Sequence, residues 1–246
     1  MNGCENIAGA VHSFETMGGA DGPGIRFVIF LKGCFLRCGY CHNPDTWFGE
    51  GEKWTAGDVV KRVLRYKPYF QGGGGVTVSG GEPLMQPEFC AALFKELKDA
   101  GISTALDTSG IAPLAPARDV LENCDLVLCD IKFLTDQEYR RYCRLQNGSV
   151  YEFLDLCADL GVPVWVRHVV VPGLTDSVEY LNKLYKKAYS YKNVQKVELL
   201  PFKKLCKSKY EQLGIEFEFD KYPQMSSEQI NRLTEKIKKQ AFNRNC

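Results

Sequence analysis

Three cysteines lie close together and at regular spacing in this chain, at Cys34, Cys38 and Cys41. Thiolates at such spacing can surround one face of an iron–sulfur cube, because these clusters are held by cysteine sulfurs. Three local thiolates leave one of the four irons of a [4Fe–4S] cube without a protein ligand. A catalytic metal site needs an open coordination position of this kind. The spacing therefore favours a catalytic [4Fe–4S] cluster.

A structural zinc site is the main alternative for these cysteines, and chance spacing is the other. Structural zinc is usually closed by four ligands that come as two pairs separated in sequence. The chain has no second cysteine pair of this kind, and His42 directly follows Cys41, where it is poorly placed to reach the same ion. The pattern therefore favours a cluster over zinc.

Further candidate site residues, mostly polar, lie late in or directly after the apolar runs that predict strands. They are Gly80-Gly81-Glu82, Asp107-Thr108, Asp130-Ile131-Lys132, Arg167 and Lys203. Paired glycines allow backbone to approach a ligand closely, and Glu82 can accept hydrogen bonds from an ammonium group. Each residue alone could be a loop residue with satisfied hydrogen bonds. Together they predict one site, because α/β sheets build active sites at the carboxyl ends of several strands.

Six apolar runs predict the strands that position these groups, at residues 26–31, 76–79, 103–107, 126–131, 164–170 and 194–200. Helical patterns predict helices over 56–66, 87–100, 116–123, 135–144, 150–160, 177–188 and 226–240. Alternating strands and helices imply a parallel sheet with right-handed crossovers. Six such units are fewer than the eight of a closed barrel. We therefore expect an α/β fold of the open (βα)6 partial-barrel type.

Length and composition indicate an ordinary globular protein. The chain has 246 residues, and we expect one domain over 1–246, with a core of about residues 20–200 and an N-terminal extension and a C-terminal helical segment packed on it. The net charge of +1 argues against a general nucleic-acid-binding role. The sequence predicts no membrane span and no secretory signal, so we expect a cytoplasmic protein. Eleven cysteines then suggest metal or redox chemistry rather than disulfides, and we expect the eight outside the motif to act as small apolar residues.

The cysteine motif, with Tyr40 before its third cysteine and a strand before it, resembles that of the radical S-adenosylmethionine (SAM) superfamily. The segment VTVSGGEP around Gly80 and Gly81 resembles the motif that binds the SAM amino group in that superfamily. The resemblance implies that the three cysteines hold a [4Fe–4S] cluster whose open iron binds SAM.

A narrower resemblance, over about residues 9–239, is to the family that activates glycyl radical enzymes, and within it to the activators of pyruvate formate-lyase. It rests on DGPGIR at 21–26, CHNPDTW at 41–47, DLVLCDIK at 125–132, VWVRHVVVPG at 164–173 and VELLPF at 197–202. Two positions depart from the family. Ser109 replaces an asparagine, and Lys203 replaces a histidine that approaches SAM; lysine is donor-only and does not stack as an imidazole does.

The resemblance also implies roles for individual residues. Tyr40 and His42 would contact SAM near its adenosyl end, Gly81 and Glu82 would meet its amino group, and Asp130, Ile131 and Lys132 would line the opposite wall with Gly80 and Lys203 nearby. Arg167 and Asp21 would face the cavity and meet the SAM carboxylate or the peptide of the partner. Asp107, Thr108 and Asp130 would hold a monovalent cation, Na⁺ or K⁺, because oxygen ligands suit a hard cation.

The implied function is a radical SAM oxidoreductase that generates a 5′-deoxyadenosyl radical and removes a hydrogen atom from a backbone glycine of pyruvate formate-lyase. An electron donor such as reduced flavodoxin and a monomeric state are implied as well. Two alternatives stay open: an activator of a different glycyl radical enzyme, and a non-catalytic iron–sulfur or metal-binding scaffold. Nine lysines between residues 183 and 209 suit a solvated helix face, a docking surface for an acidic partner, or, less well, RNA.

Overall fold

A computed structural model describes residues 3–70, 72–145 and 149–242 of the chain. Its eight strands form one sheet: β1 Ala8–Gly18, β2 Arg26–Leu31, β3 Glu52–Thr55, β4 Gly75–Gly80, β5 Ser103–Thr108, β6 Leu126–Asp130, β7 Val164–Val170 and β8 Val194–Pro201. The strand order is β3-β1-β2-β4-β5-β6-β7-β8. The last six of these strands are parallel, from β2 to β8, whereas β1 pairs antiparallel with both β2 and β3.

The six predicted strands are confirmed, and they are the six parallel strands of the sheet. The sheet is open, because within the described residues β3 and β8 are edge strands that do not pair with each other. This agrees with the predicted α/β partial barrel of six βα units.

Eight helices accompany the sheet in the described part of the chain. They are α1 Ala56–Leu64, α2 Pro87–Asp99, α3 Leu114–Leu121, α4 Asp136–Glu138, α5 Val150–Asp159, α6 Val178–Ala188, α7 Lys207–Leu213 and α8 Ser227–Phe242. The starts of α1 and α6 follow from their capping residues, since Thr55 and Ser177 accept hydrogen bonds from the first-turn amides of Asp58 and Tyr180. No helix in these ranges is long and apolar enough to cross a membrane.

The helix predicted over 135–144 differs from the structure. Only Asp136–Glu138 is α-helical, behind a capping box formed by Thr135 and Glu138. The chain then widens into a π-helical turn over Tyr139–Cys143. The carbonyls of Tyr142 and Cys143 accept hydrogen bonds from the amides of Gly39 and Arg37, at 2.9 and 2.8 Å. Contacts with another loop therefore replace the regular helical pattern here.

Three elements were missing from the sequence-based prediction: β1, β3 and α7. The segment Ala8–Gly18 carries small and polar residues and has a mixed burial pattern, so it lacks the apolar run of a central strand. It is a strand because it pairs along β2, from Val11 opposite Leu31 to Gly18 opposite Arg26. This pairing depends on a tertiary partner and could not be predicted from the local pattern.

The two faces of the sheet differ in what they cover. The main apolar core fills the space between the sheet and the helices. The other face carries a smaller apolar cluster of Ala105, Leu126 and Leu128, with Trp165 packed on it. Side chains two residues further along the same strands share that face, because side chains alternate along a strand. These are Asp107, Asp130 and Arg167, so this face of the sheet carries charged groups next to the smaller apolar cluster.

Candidate functional site

A cavity of about 240 Å³ lies at the carboxyl ends of the parallel strands. The motif cysteines line one wall, and strand-end residues line the other. The cavity is lined by Cys34, Leu36, Cys38, Tyr40, Cys41, His42, Asn43, Trp47, Ser79, Gly80, Gly81, Asp107, Thr108, Ser109, Asp130, Lys132, Arg167, Val169, Leu200 and Pro201. Most of the residues predicted for the site therefore lie in one place.

The three motif thiols lie in the cluster loop, which we define as residues 33–48. Burial raises the pKa of Cys34 well above its usual range and that of Cys41 to about 12. A hydrogen bond with the Cys143 thiol, together with burial, raises the pKa of Cys38. The amides of Leu36 and Asn43 point at the Cys34 and Cys41 sulfurs, at 3.4 Å each. All three shifts favour the protonated thiol, and the amides of Leu36 and Asn43 are placed to donate to thiolates at Cys34 and Cys41.

The arrangement of donors fits an iron–sulfur cube better than a zinc ion. In the described part of the chain, no three His, Cys, Asp or Glu side chains converge on one ion position. A single zinc ion requires such convergence, whereas a cube takes each thiolate on a different iron. Cys34, Cys38 and Cys41 line the same cavity, so each can offer one thiolate to a different iron. The residues present therefore fit the [4Fe–4S] cluster that the motif predicts.

The opposite wall holds two carboxylates and two cations. Lys132 Nζ donates to Asp130 Oδ2 at 2.5 Å, and Arg167 Nη1 lies 3.4 Å from Asp107 Oδ2. Although burial opposes it, the charges of Lys132 and Arg167 hold the pKa of Asp130 below its usual range. Burial raises the pKa of Asp107 despite Arg167 and the 2.7 Å hydrogen bond from Ser79. The two carboxyl groups thus have pKa values shifted in opposite directions.

Arg167 lines the cavity and has unused hydrogen-bonding capacity. Its Nε and Nη1 atoms are buried and have no hydrogen-bond partner among the described residues. The nearby Asp107 provides charge compensation at 3.4 Å but no hydrogen bond of good geometry. Buried donors without partners are costly unless a ligand or water satisfies them. The wall can therefore receive an anionic or carbonyl oxygen next to Arg167.

Glu82 lies behind the cavity wall rather than on it. It is only 1% exposed. Its carboxylate accepts hydrogen bonds from Thr108 Oγ1 and Ser109 Oγ at 2.6 Å each, from Ser109 N at 2.9 Å and from Leu84 N at 3.0 Å. In the structure Glu82 anchors the turn after β5, and its contact with the SAM amino group stays a prediction. Ser109, which departs from the family pattern, is one of its two hydroxyl donors.

Gly80 and Gly81 line the cavity, but neighbouring backbone also explains why they are glycines. A Cβ on Gly81 would lie 1.9 Å from the Gly33 carbonyl oxygen, and one on Gly80 would lie 2.2 Å from the Leu31 amide nitrogen. The Gly81 amide donates to Leu31 O at 2.9 Å, and the Glu82 amide donates to Gly33 O at 2.7 Å. The glycines thus let the strand end press directly against the start of the cluster loop.

The remaining predicted residues lie in and around the cavity. Tyr40 and His42 line it, and His42 Nε2 hydrogen-bonds to the Lys203 carbonyl oxygen at 3.1 Å. Lys203, Ile131 and Asp21 are not among its lining residues. Ile131 is fully buried. The roles of these three residues toward SAM or the partner stay predictions.

Several lining residues were not singled out from the sequence. Asn43 and Trp47 follow the third cysteine, Ser79 ends β4, and Leu200 ends β8. The strand-end rule that selected Asp107 and Asp130 also applies to Ser79, because it shares their face of the sheet. The strand-end rule does not apply to Asn43 and Trp47, because they lie in a loop and their positions depend on how that loop folds.

The cysteines outside the motif are mostly buried, as expected for small apolar side chains. This group consists of Cys90, Cys124, Cys129, Cys143, Cys157 and Cys206. Cys4 is partly exposed, and Cys246 lies outside the described residues. Cys143 has a polar contact as well, because its thiol forms a hydrogen bond with the thiol of Cys38.

Comparison with protein families and with curated proteins gives consistent results. The model of the radical SAM superfamily matches residues 28–185. A pyruvate formate-lyase-activating enzyme of Clostridium pasteurianum is 45% identical over 234 residues, covering 94% of this chain and 98% of that protein. One from Staphylococcus aureus (strain USA300) is 43% identical over 223 residues, covering 87% of this chain and 89% of that protein.

Solved structures share the fold at low sequence identity. Streptococcus suis SuiB, in a crystal structure bound to precursor peptide SuiA, superposes with a TM-score of 0.69 at 16% identity, covering 89% of this chain and 46% of that one. A domain of a pyruvate-formate lyase-activating enzyme from Bacteroides vulgatus gives a TM-score of 0.55 at 24% identity, covering 68% of this chain and 94% of that one. These two likenesses concern the fold alone.

Proposed function

The chain belongs to the radical SAM superfamily and, within it, to the family of the pyruvate formate-lyase-activating enzymes, and on this premise we propose that it introduces the glycyl radical into pyruvate formate-lyase. The reaction removes a hydrogen atom from a backbone glycine of that enzyme. One observation carries the proposal: the three thiols of the cluster motif open into the same cavity as the strand-end residues. The curated relatives support pyruvate formate-lyase as the partner.

A [4Fe–4S] cluster held by Cys34, Cys38 and Cys41 would supply one electron to SAM and so provide the 5′-deoxyadenosyl radical. The protein's own residues bind and orient the reactants and exclude water. Arg167 provides donors for a carboxylate on the wall opposite the cysteines. Lys132 and Asp130 form a partly buried ion pair on that wall.

We extend the proposal to SAM itself. Gly80 and Gly81 bring backbone to the cavity, and Tyr40 and His42 line its other side. These residues would contact the amino and adenosyl ends of SAM, with Glu82 supporting the turn that carries Thr108 and Ser109.

A monovalent cation belongs to the same proposal, with Asp107 and Asp130 as its ligands, since both carboxylates line the cavity. Thr108 is the third proposed ligand. Its hydroxyl donates to Glu82 at 2.6 Å, so it has only a lone pair to offer a cation.

An electron donor such as reduced flavodoxin, a monomeric state and a cytoplasmic location complete the proposed setting. Free thiols support the location, because ten described cysteines are unpaired and a reducing compartment keeps thiols in that state.

The deciding experiment is electron paramagnetic resonance (EPR) on anaerobically reconstituted, reduced protein with SAM and pyruvate formate-lyase, with 5′-deoxyadenosine assayed in the same tube. A stable glycyl-radical doublet is expected. Deoxyadenosine without the doublet would leave radical SAM chemistry in place and point to a different glycyl radical enzyme.

Two variants accompany that experiment. Cys38→Ala should abolish SAM cleavage, because it removes a cluster ligand, while Cys4→Ala, at a partly exposed cysteine outside the cavity, should not. An intact cluster with neither product in the unmodified protein would favour the non-catalytic scaffold instead.

A further inference from the structure

We propose that Lys209 is a positioning residue for the cluster loop and that it acts through Asn43 and Asp45. The inference rests on the proposed function, because it assigns a role in holding the cluster and the SAM cavity. Lys209 lies on α7, outside residues 28–185 that match the superfamily model. The residue that contacts the loop therefore lies in a part of the chain beyond that match.

One ammonium group bridges two residues of the loop. Lys209 Nζ donates to Asn43 Oδ1 and to Asp45 Oδ1, both at 3.0 Å. Asn43 is the second residue after the third cluster cysteine, and its amide points at the Cys41 sulfur at 3.4 Å. The lysine thus fixes the side chain of a residue whose backbone faces a cluster ligand.

Asp45 connects the same point to strand β1. Its other carboxylate oxygen, Oδ2, lies 3.2 Å from His12 Nε2 on β1. Lys32, just after β2, donates to the backbone carbonyls of Asp45 and Phe48 at 2.7 and 2.9 Å. The segment after Cys41 is therefore held from α7, from β1 and from the end of β2.

The held segment is part of the cavity wall. Cys41, His42, Asn43 and Trp47 all line the cavity. The Trp47 ring also packs edge-on against Tyr210, the residue after Lys209, at 6.0 Å between ring centroids. Loosening this segment would displace a cluster ligand and the wall next to it together.

We expect the ion pair of Lys209 and Asp45 to affect the position of the cluster loop more than the free energy of unfolding. The side chains of Lys209 and Asp45 are 37% and 27% exposed. Ion pairs with this access to water add little to the free energy of unfolding. Lys207 on the same helix provides a matched control, because its ammonium pairs with Asp220 at 2.8 Å and, among the described residues, makes no ion pair with the cluster loop.

The test compares Lys209→Met, Lys207→Met and Lys209→Arg in the cluster-loaded, anaerobic protein. Release of iron to a ferrous chelator should be about tenfold faster in Lys209→Met, because the change removes both hydrogen bonds from the ammonium group and a tenfold effect is at the low end of what a single charge-assisted one contributes. Lys207→Met should match the unmodified protein, and Lys209→Arg should recover most of the loss. The thermal midpoint should be the same in all four proteins.

A second readout is the change that SAM causes in the EPR spectrum of the reduced cluster. In Lys209→Met this change should need a higher SAM concentration. Equal iron release in Lys209→Met and the unmodified protein would overturn the inference. If the unmodified protein shows no SAM-dependent change at all, the proposed function fails, while the iron-release comparison still decides the role of Lys209.

A double-mutant cycle tests whether Lys209 acts through its partner. Lys209→Met combined with Asp45→Ala should release iron more slowly than the product of the two single effects predicts, because both changes remove the Lys209–Asp45 contact, while each also removes a contact of its own, to Asn43 or to His12. Rate increases that multiply would contradict the proposed route.

Discussion

Arg167 lies beside the Asp107 carboxylate in the cavity, and two of its donor atoms have no hydrogen-bond partner among the described residues. Replacing it by glutamine removes the positive charge next to Asp107 and the proposed donors for the SAM carboxylate. A hydrogen bond to a charged group contributes about 1.5–3 kcal/mol, so Arg167→Gln should weaken SAM binding by roughly ten- to a hundredfold. The measurement is a SAM titration followed by EPR of the reduced cluster.

The matched control for Arg167→Gln is Lys196→Gln. Lys196 is a cation on the neighbouring strand, pairs with Glu198 and is not a lining residue of the cavity. Iron content should be unchanged in both variants, since neither residue is a cluster ligand. Unaltered SAM binding in Arg167→Gln would place the SAM carboxylate elsewhere in the cavity.

The neighbouring His168 points the opposite way and links stability to pH. It is 1% exposed, and its Nδ1 atom donates to the Ile131 carbonyl at 2.7 Å. Burial lowers its pKa to about 4. In the unfolded chain the histidine pKa is near 6.5, so between pH 6.5 and 4 the unfolded chain binds a proton that the folded chain does not. The free energy of unfolding therefore falls as the pH drops below 6.5.

We expect the free energy of unfolding to fall by about 1 kcal/mol more in the unmodified protein than in His168→Asn between pH 7.5 and 5.5. Asparagine keeps a donor near the Nδ1 position and does not titrate. Urea titrations of the metal-free chain, followed by tryptophan fluorescence, measure the difference. Asp107 and Glu82, whose pKa values are raised by burial, act in the opposite direction in both proteins and cancel in the comparison. Parallel pH profiles would show that His168 is not buried as a neutral ring.

At the scale of elements, the end of β4 and the start of the cluster loop form one packed unit. Gly81→Ala would place a methyl group 1.9 Å from the Gly33 carbonyl oxygen, which is backbone and cannot rotate away. Overpacking of this kind costs about 1–3 kcal/mol. We therefore expect a lower thermal midpoint and poor cluster incorporation.

Gly19→Ala is the control for that substitution, because nothing lies within 4 Å of a Cβ built on Gly19. Thermal melts followed by far-UV circular dichroism and an iron assay compare the two variants. A Gly81→Ala protein that melts and loads iron like Gly19→Ala would mean that the strand end and the loop are not in contact.

How far the sequence predicts these elements depends on the source of each signal. The parallel strands were predictable because Phe27, Val76 and their neighbours form apolar runs that both faces of the sheet require. Strand β1 was not, since its stability comes from pairing with β2. In the site, Asp107, Asp130 and Arg167 followed from the strand-end rule. The inward position of Glu82 did not, because it depends on hydrogen bonds from Thr108 and Ser109, which are distant in sequence.

At the scale of the whole molecule, many lysines of the stretch between residues 183 and 209 are paired with carboxylates. Of its nine lysines, five form ion pairs, namely Lys183, Lys196, Lys204, Lys207 and Lys209. Lys204, Lys207 and Lys209 belong to the segment that follows β8, and Lys209 donates hydrogen bonds to Asn43 and Asp45 of the cluster loop. This pairing leaves less free positive charge than the sequence suggested, so the stretch suits a solvated surface better than an RNA-binding patch.

The distribution of cysteines has a practical consequence: alkylation stoichiometry becomes a gauge of cluster occupancy. Of the ten described cysteines, seven are buried, and the partly exposed ones are Cys4 and two of the proposed cluster ligands, Cys34 and Cys41. Brief treatment of the native, cluster-loaded protein with iodoacetamide should label Cys4 and spare Cys34 and Cys41. After iron removal both should become labelled on longer exposure at alkaline pH, because burial raises their pKa values and leaves little reactive thiolate, and the buried Cys38 should follow last. Peptide mass spectrometry would then report the loaded fraction of any preparation without a spectrum of the cluster, and equal labelling of Cys34 and Cys41 before and after iron removal would contradict their role as ligands.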